Sequence, residues 1–364
     1  MQTYEMDVSS LRHELEIHQQ EHLLTFWDGL TDDEKQHLYH DLRSIDLPKV
    51  TKIFQQSTPS TGLVFDDSLL EPLPGEVHES VSRSDPQTLQ SYREAGIFTV
   101  LRLPPPSLLL LSETGLRQIA DGRVAALLLA GGQGTRLGVS HPKGMFDVGL
   151  PSNKTLYQLQ GERLRRLCHM ARDLTGKDCS IPWYIMTSEQ TKEPTAAFFA
   201  DHSFFGLRES DVFIFEQQTL PCFTQEGKII LSSPHRVARA PDGNGGLYDA
   251  LRECNVLQDM RSRGVEYVHV YGVDNILVKI ADPTFVGYCV SKGADAGAKV
   301  VEKSHAREAV GIICKVEGEF QVVEYSELSD SVANATDADG RLKFNAGSIC
   351  NHFFTVDFLD LVSK

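Results

Sequence analysis

The run Val124-Ala-Ala-Leu-Leu-Leu-Ala130 passes directly into Gly131-Gly132-Gln133-Gly134-Thr135-Arg136-Leu137-Gly138. An unbroken apolar run followed by glycines predicts a buried strand that ends in a tight turn. Glycines adopt positive φ angles and let backbone N–H groups approach an anion closely. This stretch therefore predicts an α/β fold with a phosphate-binding site where a central strand ends.

The glycine spacing distinguishes this turn from two common phosphate-binding loops. From Gly132 it reads Gly-x-Gly-x-x-x-Gly, whereas dinucleotide-binding folds use Gly-x-Gly-x-x-Gly, and no Gly-Lys-[Ser/Thr] follows as in P-loop ATPases. An NAD-dependent oxidoreductase stays as a competing hypothesis, although no acidic ribose-binding residue can be assigned to it. Arg136 and Lys143 place two cations just after the turn. Such a pair suits a substrate that carries several phosphates.

Apolar runs alternate with helical patterns beyond Gly122. Helices are predicted near residues 155–174 and 195–205, and strands at Val124–Ala130, Trp183–Met186, Val212–Phe215, Tyr267–Val273 and Ala298–Val301. This alternation predicts βαβ units, and hence a mostly parallel sheet with helices on both faces. Such sheets bind their ligands beyond the carboxyl ends of the strands.

Three segments are expected along the chain. Residues 1–56 predict an N-terminal helical arm, because leucines recur at helical spacing and Thr31 with Glu34 forms a capping box. We interpret the apolar stripe of this arm as a packing face rather than a partner-binding face. Residues 57–121 predict an extended linker followed by a helix, and residues 122–364 predict the nucleotide- and sugar-binding catalytic domain.

Charge and composition disfavour several classes of function. Lys+Arg total 35 against 50 Asp+Glu, a net charge of −15, so nucleic acid is not an expected partner. No window approaches the ~18–20 consecutive apolar residues of a membrane span, so no membrane contact is expected. The seven cysteines contain no Cys-x-x-Cys pair. They predict reduced thiols in a cytoplasmic protein, and the sequence leaves homo-oligomerisation open.

A family resemblance rests on LAGGQGTRLGVSHPKGMFDVGLPSNKTLYQLQ, residues 129–160. Further segments that match are APDGNGGLYDAL at 240–251, VYGVDNILVKIADP at 270–283, GAKVVEK at 297–303, VVEYSELS at 322–329 and FNAGSICNHFFTV at 344–356. Together they resemble the eukaryotic UDP-N-acetylhexosamine pyrophosphorylases. The resemblance implies a Rossmann-like, GT-A-like nucleotidyltransferase that makes UDP-N-acetylglucosamine or UDP-N-acetylgalactosamine and pyrophosphate from UTP and N-acetylhexosamine 1-phosphate. A non-catalytic protein that binds UTP or a UDP-sugar is the alternative.

The resemblance also implies roles for single residues on the nucleotide side. The nucleotide would be held by the turn Leu129, Ala130, Gly131 and Gly132, by Lys143 on the UTP phosphates, by Gln217 on the uracil and by Gly243 over the base. Gln218 is the neighbouring alternative to Gln217. Arg136, by its chemistry and position, is expected to act with Lys143 in catalysis and to meet the departing pyrophosphate.

Asp274 ends the apolar run Tyr267–Val273, at the carboxyl edge of a predicted strand. Mg²⁺ keeps several waters and needs only one or two carboxylates, so a single aspartate suffices to bind it between phosphates. The family uses this position in the same way. We therefore expect Asp274 to hold Mg²⁺, against the alternative of a plain turn residue.

The sugar side is predicted from strand register. Val310–Val316 and Glu319–Tyr325 predict two strands joined by the turn Glu317-Gly318, which sets Gly311 opposite Glu324 on one face. In the family the matching positions leave room for the sugar ring and accept its hydroxyls. Ser348 stands where the family has an asparagine. The other expected sugar-binding residues are Asn244 and Tyr325.

Two departures from the family pattern bear on activity. Residues 97–114, IFTVLRLPPPSLLLLSET, separate two segments that follow each other almost directly in the family. We expect an exposed apolar loop that arises from retained non-coding sequence or a gene-model error, against the alternative of a genuine surface insertion. The chain also stops at Lys364. Family members continue there into a carboxyl-terminal region with a further phosphate-binding lysine, so we expect this chain to lack it.

Overall fold

The computed structural model describes residues 6–57, 67–74, 106–134 and 138–364. The chain forms two compact units, one of residues 1–63 with 218–243, the other of residues 64–217 with 244–364. From the sequence, residues 218–243 are expected to belong to the catalytic domain. The structure groups them with the amino-terminal helices instead.

The helices are α1 (Val8–Ile17), α2 (Asp32–Arg43), α3 (Leu47–Ser57), α4 (Pro106–Ala120), α5 (Leu156–Thr175), α6 (Glu189–Asp201), α7 (Leu247–Glu253), α8 (Val256–Ser262), α9 (Pro283–Ser291), α10 (Asp330–Ala333) and α11 (Val356–Val362). The strands are β1 (Leu70–Glu71), β2 (Val124–Leu129), β3 (Trp183–Thr187), β4 (Val212–Glu216), β5 (Thr219–Pro221), β6 (Leu231–Ser233), β7 (Arg236–Val237), β8 (Arg239–Pro241), β9 (Tyr267–Gly272), β10 (Ala296–Glu302), β11 (Ile312–Val316), β12 (Glu319–Val323) and β13 (Ala346–Thr355). Among the described residues, no helix is both long and apolar enough to cross a membrane.

The first unit combines α1, α2 and α3 with the short strands β5 to β8. The predicted capping box is confirmed, because the Glu34 N–H donates to Thr31 Oγ1 and the Thr31 N–H donates to Glu34 Oε2. Arg239 donates to Asp41 Oδ1 at 2.7 and 3.0 Å. The core is shared by Leu11, Leu15, Leu23, Leu38, Leu42, Ile229 and Val237. These contacts explain why residues 218–243 belong to this unit.

The second unit is built on a nine-stranded sheet in the order β1-β11-β13-β9-β2-β3-β4, with β10 beside β13 and β12 beside β11. Strands β9, β2, β3 and β4 run parallel, which confirms the predicted parallel α/β core. The remaining strands continue the sheet in antiparallel fashion. Every residue of β2 and β3 is buried, so both strands read as unbroken apolar runs.

Helices cover both faces of the parallel core, as predicted. Residues of α4, α5, α6 and α9 pack on Ala126 and Leu128 of β2. Residues of α7, α8 and α11 pack on Ala125, Leu127 and Leu129 of the same strand. Because successive side chains of a strand point to opposite faces, β2 contributes to both layers of the core.

The expected apolar loop at 97–114 is wrong for the part that the structure describes. Residues 97–105 lie outside the described residues, whereas 106–114 form the first turns of α4. Pro106 begins this helix, where its missing N–H has no intrahelical partner to lose. A Cβ at Gly115 would lie 2.0 Å from Pro283 O, and one at Gly287 would lie 1.8 Å from Leu111 O. The helices α4 and α9 therefore touch through backbone, with glycine at both contacts.

Candidate functional site

The candidate site begins where three parallel strands end. β2 ends at Leu129, β4 at Glu216 and β9 at Gly272. The Ala130 N–H donates to Met186 O at 2.8 Å, and the Val273 N–H donates to Leu129 O at 3.1 Å. The residues that follow these strands therefore leave the sheet at one common edge, anchored by backbone hydrogen bonds.

The side chain of Gln217 lies against the backbone of the turn at 129–132, which we call the glycine turn. A Cβ at Gly131 would lie only 2.6 Å from Gln217 Oε1. Gln217 is 5% exposed, and its N–H donates to Thr187 O at 2.8 Å. Gly131 therefore leaves room for a buried amide, which offers a donor and an acceptor together.

Lys143 and Asp274 meet above the glycine turn. A Cβ at Gly132 would lie 3.7 Å from Lys143 Nζ, and Lys143 Nζ donates to Asp274 Oδ2 at 3.4 Å. The Lys143 side chain is 22% exposed and the Asp274 side chain 68%. An ion pair this exposed contributes about 1 kcal/mol or less. A bound polyanion could therefore displace Asp274 from Lys143 at little cost.

The turn that carries Lys143 is fixed to the core by its neighbour Gly144. Lys143–Met145 form one 3-10 turn, and a Cβ at Gly144 would lie 2.1 Å from the ring of Tyr157. Tyr157 is fully buried, and this burial raises the pKa of Tyr157 to about 12. The close contact between Gly144 and this neutral ring sets the position of Lys143.

Asp274 could bind a metal ion only if the substrate and water supplied the other ligands. Across the described ranges, no group of three His, Cys, Asp or Glu side chains is arranged to hold a metal ion. Mg²⁺ accepts one carboxylate when substrate phosphates and water fill its remaining positions. The single exposed carboxylate of Asp274, beside a lysine and a glycine turn, fits that mode of binding.

The predicted hairpin register on the sugar side is confirmed. Val316 pairs with Glu319 and Ile312 with Val323. The turn residues Glu317 and Gly318 have φ angles of 52° and 86°, as a two-residue hairpin turn requires. A Cβ at Gly311 would lie 3.2 Å from Glu324 Oε1, so the two residues do lie together.

The topology places the predicted nucleotide-binding residues and the predicted sugar-binding residues at the same edge of the sheet. β13 runs antiparallel to β9, with Asn351 opposite Tyr271. The amino-terminal end of β13, which holds Ser348, therefore lies at the edge where β9 leads into Asp274. The Ser348 N–H donates to Gly311 O at 2.8 Å. Burial raises the pKa of the Cys350 thiol, and the nearby carboxylate of Asp274 raises it further.

Four predicted residues remain, of which Asn244 and Tyr325 form no hydrogen bond to these groups among the described residues. Arg136 lies outside the described residues. Gly243, with a φ of 78°, is the last residue of the first unit. Asn244 is exposed at the start of a 3-10 turn, and Tyr325 is 52% exposed. In the part of the chain that the structure describes, no hydrogen bond links Asn244 or Tyr325 to Glu324.

Three residues of this region were missed by the sequence analysis. Ser188 Oγ donates to Gly131 O at 2.9 Å, and Gln160 Nε2 donates to Val273 O at 3.3 Å. Arg163 Nη1 donates to Ile276 O at 2.6 Å and to Val278 O at 3.0 Å. A usable signal was present for Ser188 and Gln160, because each is a polar residue at a position where the strand end or helix face is otherwise apolar.

The fold is of the nucleotidyltransferase class. It has a parallel core, a glycine turn at the end of β2, and a lysine and an aspartate that face this turn. The structure superimposes on the crystal structure of the UDP-N-acetylglucosamine pyrophosphorylase from Trypanosoma brucei in complex with inhibitor. The TM-score is 0.79 at 30% identity, over 100% of this chain and 69% of that chain. The sequence profile of the family described as UTP–glucose-1-phosphate uridylyltransferase (UDPGP) matches residues 109–364. The chain belongs to this family.

Curated relatives confirm the predicted resemblance. The chain is 49% identical to "UDP-N-acetylhexosamine pyrophosphorylase-like protein 1" of Mus musculus, over 97% of this chain and 67% of the relative. It is 41% identical to "UDP-N-acetylglucosamine diphosphorylase 1" of Arabidopsis thaliana, with the same two coverages. The chain thus spans about two thirds of the length of these curated relatives.

Proposed function

We propose that this chain is a uridylyltransferase that makes UDP-N-acetylglucosamine or UDP-N-acetylgalactosamine, with pyrophosphate, from UTP and the N-acetylhexosamine 1-phosphate. One observation carries the proposal. The buried amide of Gln217, the ammonium of Lys143 and the carboxylate of Asp274 all lie around the glycine turn. The relatives' names give the same reaction class.

On the nucleotide side, each group has one task. The backbone of the glycine turn holds the nucleotide, and the Gln217 amide reads the uracil edge with one donor and one acceptor. Lys143 exchanges its contact with Asp274 for the UTP phosphates. This exchange costs little because the pair is exposed, whereas a charge-assisted bond to phosphate is strong.

The chemical step is an in-line displacement at the α-phosphorus of UTP. An oxygen of the sugar phosphate forms the new bond to phosphorus, while the bond to the β-phosphate oxygen breaks and pyrophosphate leaves. Such reactions depend mainly on positioning and on neutralising charge. We assign that charge neutralisation to Lys143, and contact with the departing pyrophosphate to Arg136.

Asp274 is the residue that would hold Mg²⁺. When bound, the ion would supply positive charge that lets a dianionic sugar phosphate approach a polyanionic nucleotide. An uncompensated carboxylate at that place would oppose the reaction. Lys143, at 3.4 Å, partly offsets the charge of Asp274 until the nucleotide binds.

The sugar side is assigned to the hairpin and to the start of β13. Gly311 leaves space for the ring, and Glu324 accepts hydrogen bonds from sugar hydroxyls. Ser348, bonded through its N–H to Gly311 O, offers a short hydroxyl to the same sugar. Asn244 and Tyr325 complete the proposed set.

We also infer a cytoplasmic location. All seven cysteines of the chain are free in the structure. Free thiols are maintained where glutathione and thioredoxin keep proteins reduced. Labelling the thiols of the native protein, extracted under alkylating conditions, would check this inference, since paired cysteines would contradict it.

The test is pyrophosphate release by the native chain with UTP, Mg²⁺ and either N-acetylglucosamine or N-acetylgalactosamine 1-phosphate. We expect release that depends on all three components. Asp274→Asn should raise the Mg²⁺ concentration for half-maximal rate while circular dichroism stays unchanged. Calorimetric UTP binding without pyrophosphate release would instead support a non-catalytic nucleotide-binding protein. Absence of both would contradict the proposal.

A further inference from the structure

The loop at residues 273–278, which we call the Asp274 loop, is tied to one helix by three hydrogen bonds. Arg163 Nη1 of α5 donates to Ile276 O at 2.6 Å and to Val278 O at 3.0 Å. Gln160, one helical turn earlier, donates through Nε2 to Val273 O at 3.3 Å. The acceptors lie on both sides of Asp274 in the chain. Side chains of α5 therefore bind the backbone on both sides of Asp274 and make no hydrogen bond to its carboxylate.

Val273 and Val278 are buried at the two ends of the loop, and the Val273 N–H donates to Leu129 O at 3.1 Å. The internal hydrogen bonds of the loop are short-range turns, such as the Ile276 N–H to Asp274 O at 3.1 Å. Leu277, at its tip, is 85% exposed. The Asp274 side chain bonds to Lys143, which belongs to the proposed phosphate contact. Once Lys143 turns to a phosphate, the bonds from α5 are the side-chain hydrogen bonds that still hold the backbone on either side of Asp274.

Arg163 has the chemistry for this task. A guanidinium is a rigid planar donor that can hold two carbonyls at once, whereas an ammonium is a point donor on a flexible stem. The Arg163 side chain is partly buried, and burial lowers the pKa of Arg163 from its usual value. No carboxylate pairs with Arg163 in the described ranges, so carbonyl dipoles alone compensate its charge.

We propose that Arg163 is a positioning residue, which holds the Asp274 loop so that the carboxylate of Asp274 can bind the divalent cation on the UTP phosphates. This inference rests on the proposed function. Residues that orient a metal ligand typically change metal affinity by about 10- to 100-fold when they are removed. Arg163 acts through Asp274, and it makes no contact with substrate.

The experiment measures UTP affinity of the native chain by calorimetry, across a Mg²⁺ titration and also in EDTA. Arg163→Ala should raise the Mg²⁺ concentration for half-maximal effect by about tenfold. It should leave the UTP affinity in EDTA within about twofold, because the glycine turn, Lys143 and Gln217 are unchanged. Arg163→Lys should recover part of the shift. Arg166→Ala, an exposed arginine of the same helix, is the matched control and should change neither value.

A ligand-free readout accompanies the titration. Hydrogen exchange of the amides at 274–278 should be faster in Arg163→Ala than in the wild type and in Arg166→Ala. If Arg163→Ala does not fold, Arg163→Lys decides, since it keeps the charge but replaces the planar guanidinium with a shorter, flexible side chain that holds the two carbonyls less firmly.

The outcomes separate the inference from the proposed function. An unshifted Mg²⁺ titration in a folded Arg163 variant overturns the inference alone. An equal loss of UTP affinity with and without Mg²⁺ also overturns it, because the arginine would then be merely structural. Absence of UTP binding by the wild type overturns the proposed function, and the inference falls with it.

Discussion

The parallel and antiparallel halves of the nine-stranded sheet differ in how deeply their strands are buried. In the parallel half, every residue of β2 and β3 is buried, and the glycine turn is held by backbone hydrogen bonds. In the antiparallel half, four of the five residues of β12 are exposed, and so are most residues of β10. The proposed nucleotide side therefore rests on a rigid core, whereas the proposed sugar side rests on a sheet margin.

This difference leads to an expectation about function. In the proposed function, the groups that bind the nucleotide are already placed by folding, so changes there should affect stability and nucleotide affinity together. The hairpin that carries Gly311 and Glu324 lies at the margin, so changes there should affect sugar recognition and leave stability unchanged. The predictions below test this separation.

The largest expected effect is on stability, at the seam between the halves. His269 of β9 donates through Nε2 to Asn351 Oδ1 of β13 at 2.7 Å, and its Nδ1 accepts from the Ala281 N–H at 3.1 Å. Burial lowers the pKa of His269 to about 4, from a usual value of 6.5. Below pH 6.5 the unfolded chain therefore binds a proton that the folded chain does not.

The free energy of unfolding should consequently fall by roughly 3 kcal/mol in total as the pH drops from 6.5 to 4. Denaturant unfolding across this range measures it. His269→Gln should make the free energy of unfolding less dependent on pH in this range. His169→Gln, at an exposed histidine, should leave the pH dependence unchanged. An identical slope in His269→Gln would contradict the assignment.

The next effect concerns the core beneath Lys143. Gly144→Ala places a methyl group against the Tyr157 ring, 2.1 Å from its nearest atom before any relaxation. We expect a loss of about 2 kcal/mol in the free energy of unfolding, together with weaker UTP binding. Gly245→Ala is the control, because a Cβ there meets nothing within 4 Å. Equal stability of the two variants would show that the nucleotide side is less rigid than described.

A smaller effect is expected for base recognition. Gln217→Leu keeps the volume of the buried side chain but removes its donor and acceptor. The preference for UTP over CTP in competition binding should fall by roughly tenfold, or about 1.4 kcal/mol. Gln218→Leu tests the neighbouring alternative. Should Gln218→Leu reduce the preference while Gln217→Leu does not, the uracil contact belongs to Gln218.

The smallest effect is expected at the sheet margin. Glu324→Gln removes a charged acceptor beside Gly311, and should weaken binding of the N-acetylhexosamine 1-phosphate by roughly threefold to fivefold. UTP affinity and the unfolding midpoint should not change. Glu319→Gln, at the exposed start of β12, the strand that leads to Glu324, serves as the control. A large loss of stability in Glu324→Gln would contradict the separation between the halves.

Local pattern was enough to predict the strands and the hairpin. β2 reads as an apolar run because both of its faces are buried, and the Gly311–Glu324 pairing follows from a two-residue turn. The predicted helix near 195–205 instead spans Glu189–Asp201. Pro194 lies within this helix, which begins after the cap residue Ser188.

Long-range contacts could not be predicted from pattern. Residues 218–243 join the amino-terminal unit because Gln20 exchanges hydrogen bonds with Gly227 and Ile229, more than 200 residues away. The apolar leucines after Pro106 were predicted to lie in a loop, but they form the first turns of α4, whose backbone approaches α9 at Leu111 and Gly115. The tie from Arg163 to the Asp274 loop also joins residues over 100 positions apart.

In the proposed mode of binding, UTP lies at the glycine turn and contacts Lys143. Its most direct test is calorimetric titration of UTP, in Mg²⁺, into the wild type, Lys143→Ala and Lys154→Ala, where Lys154 is another lysine paired with a carboxylate. We expect Lys143→Ala to bind UTP at least about tenfold more weakly and Lys154→Ala to match the wild type. Unchanged UTP affinity in a folded Lys143→Ala variant would contradict this mode of binding.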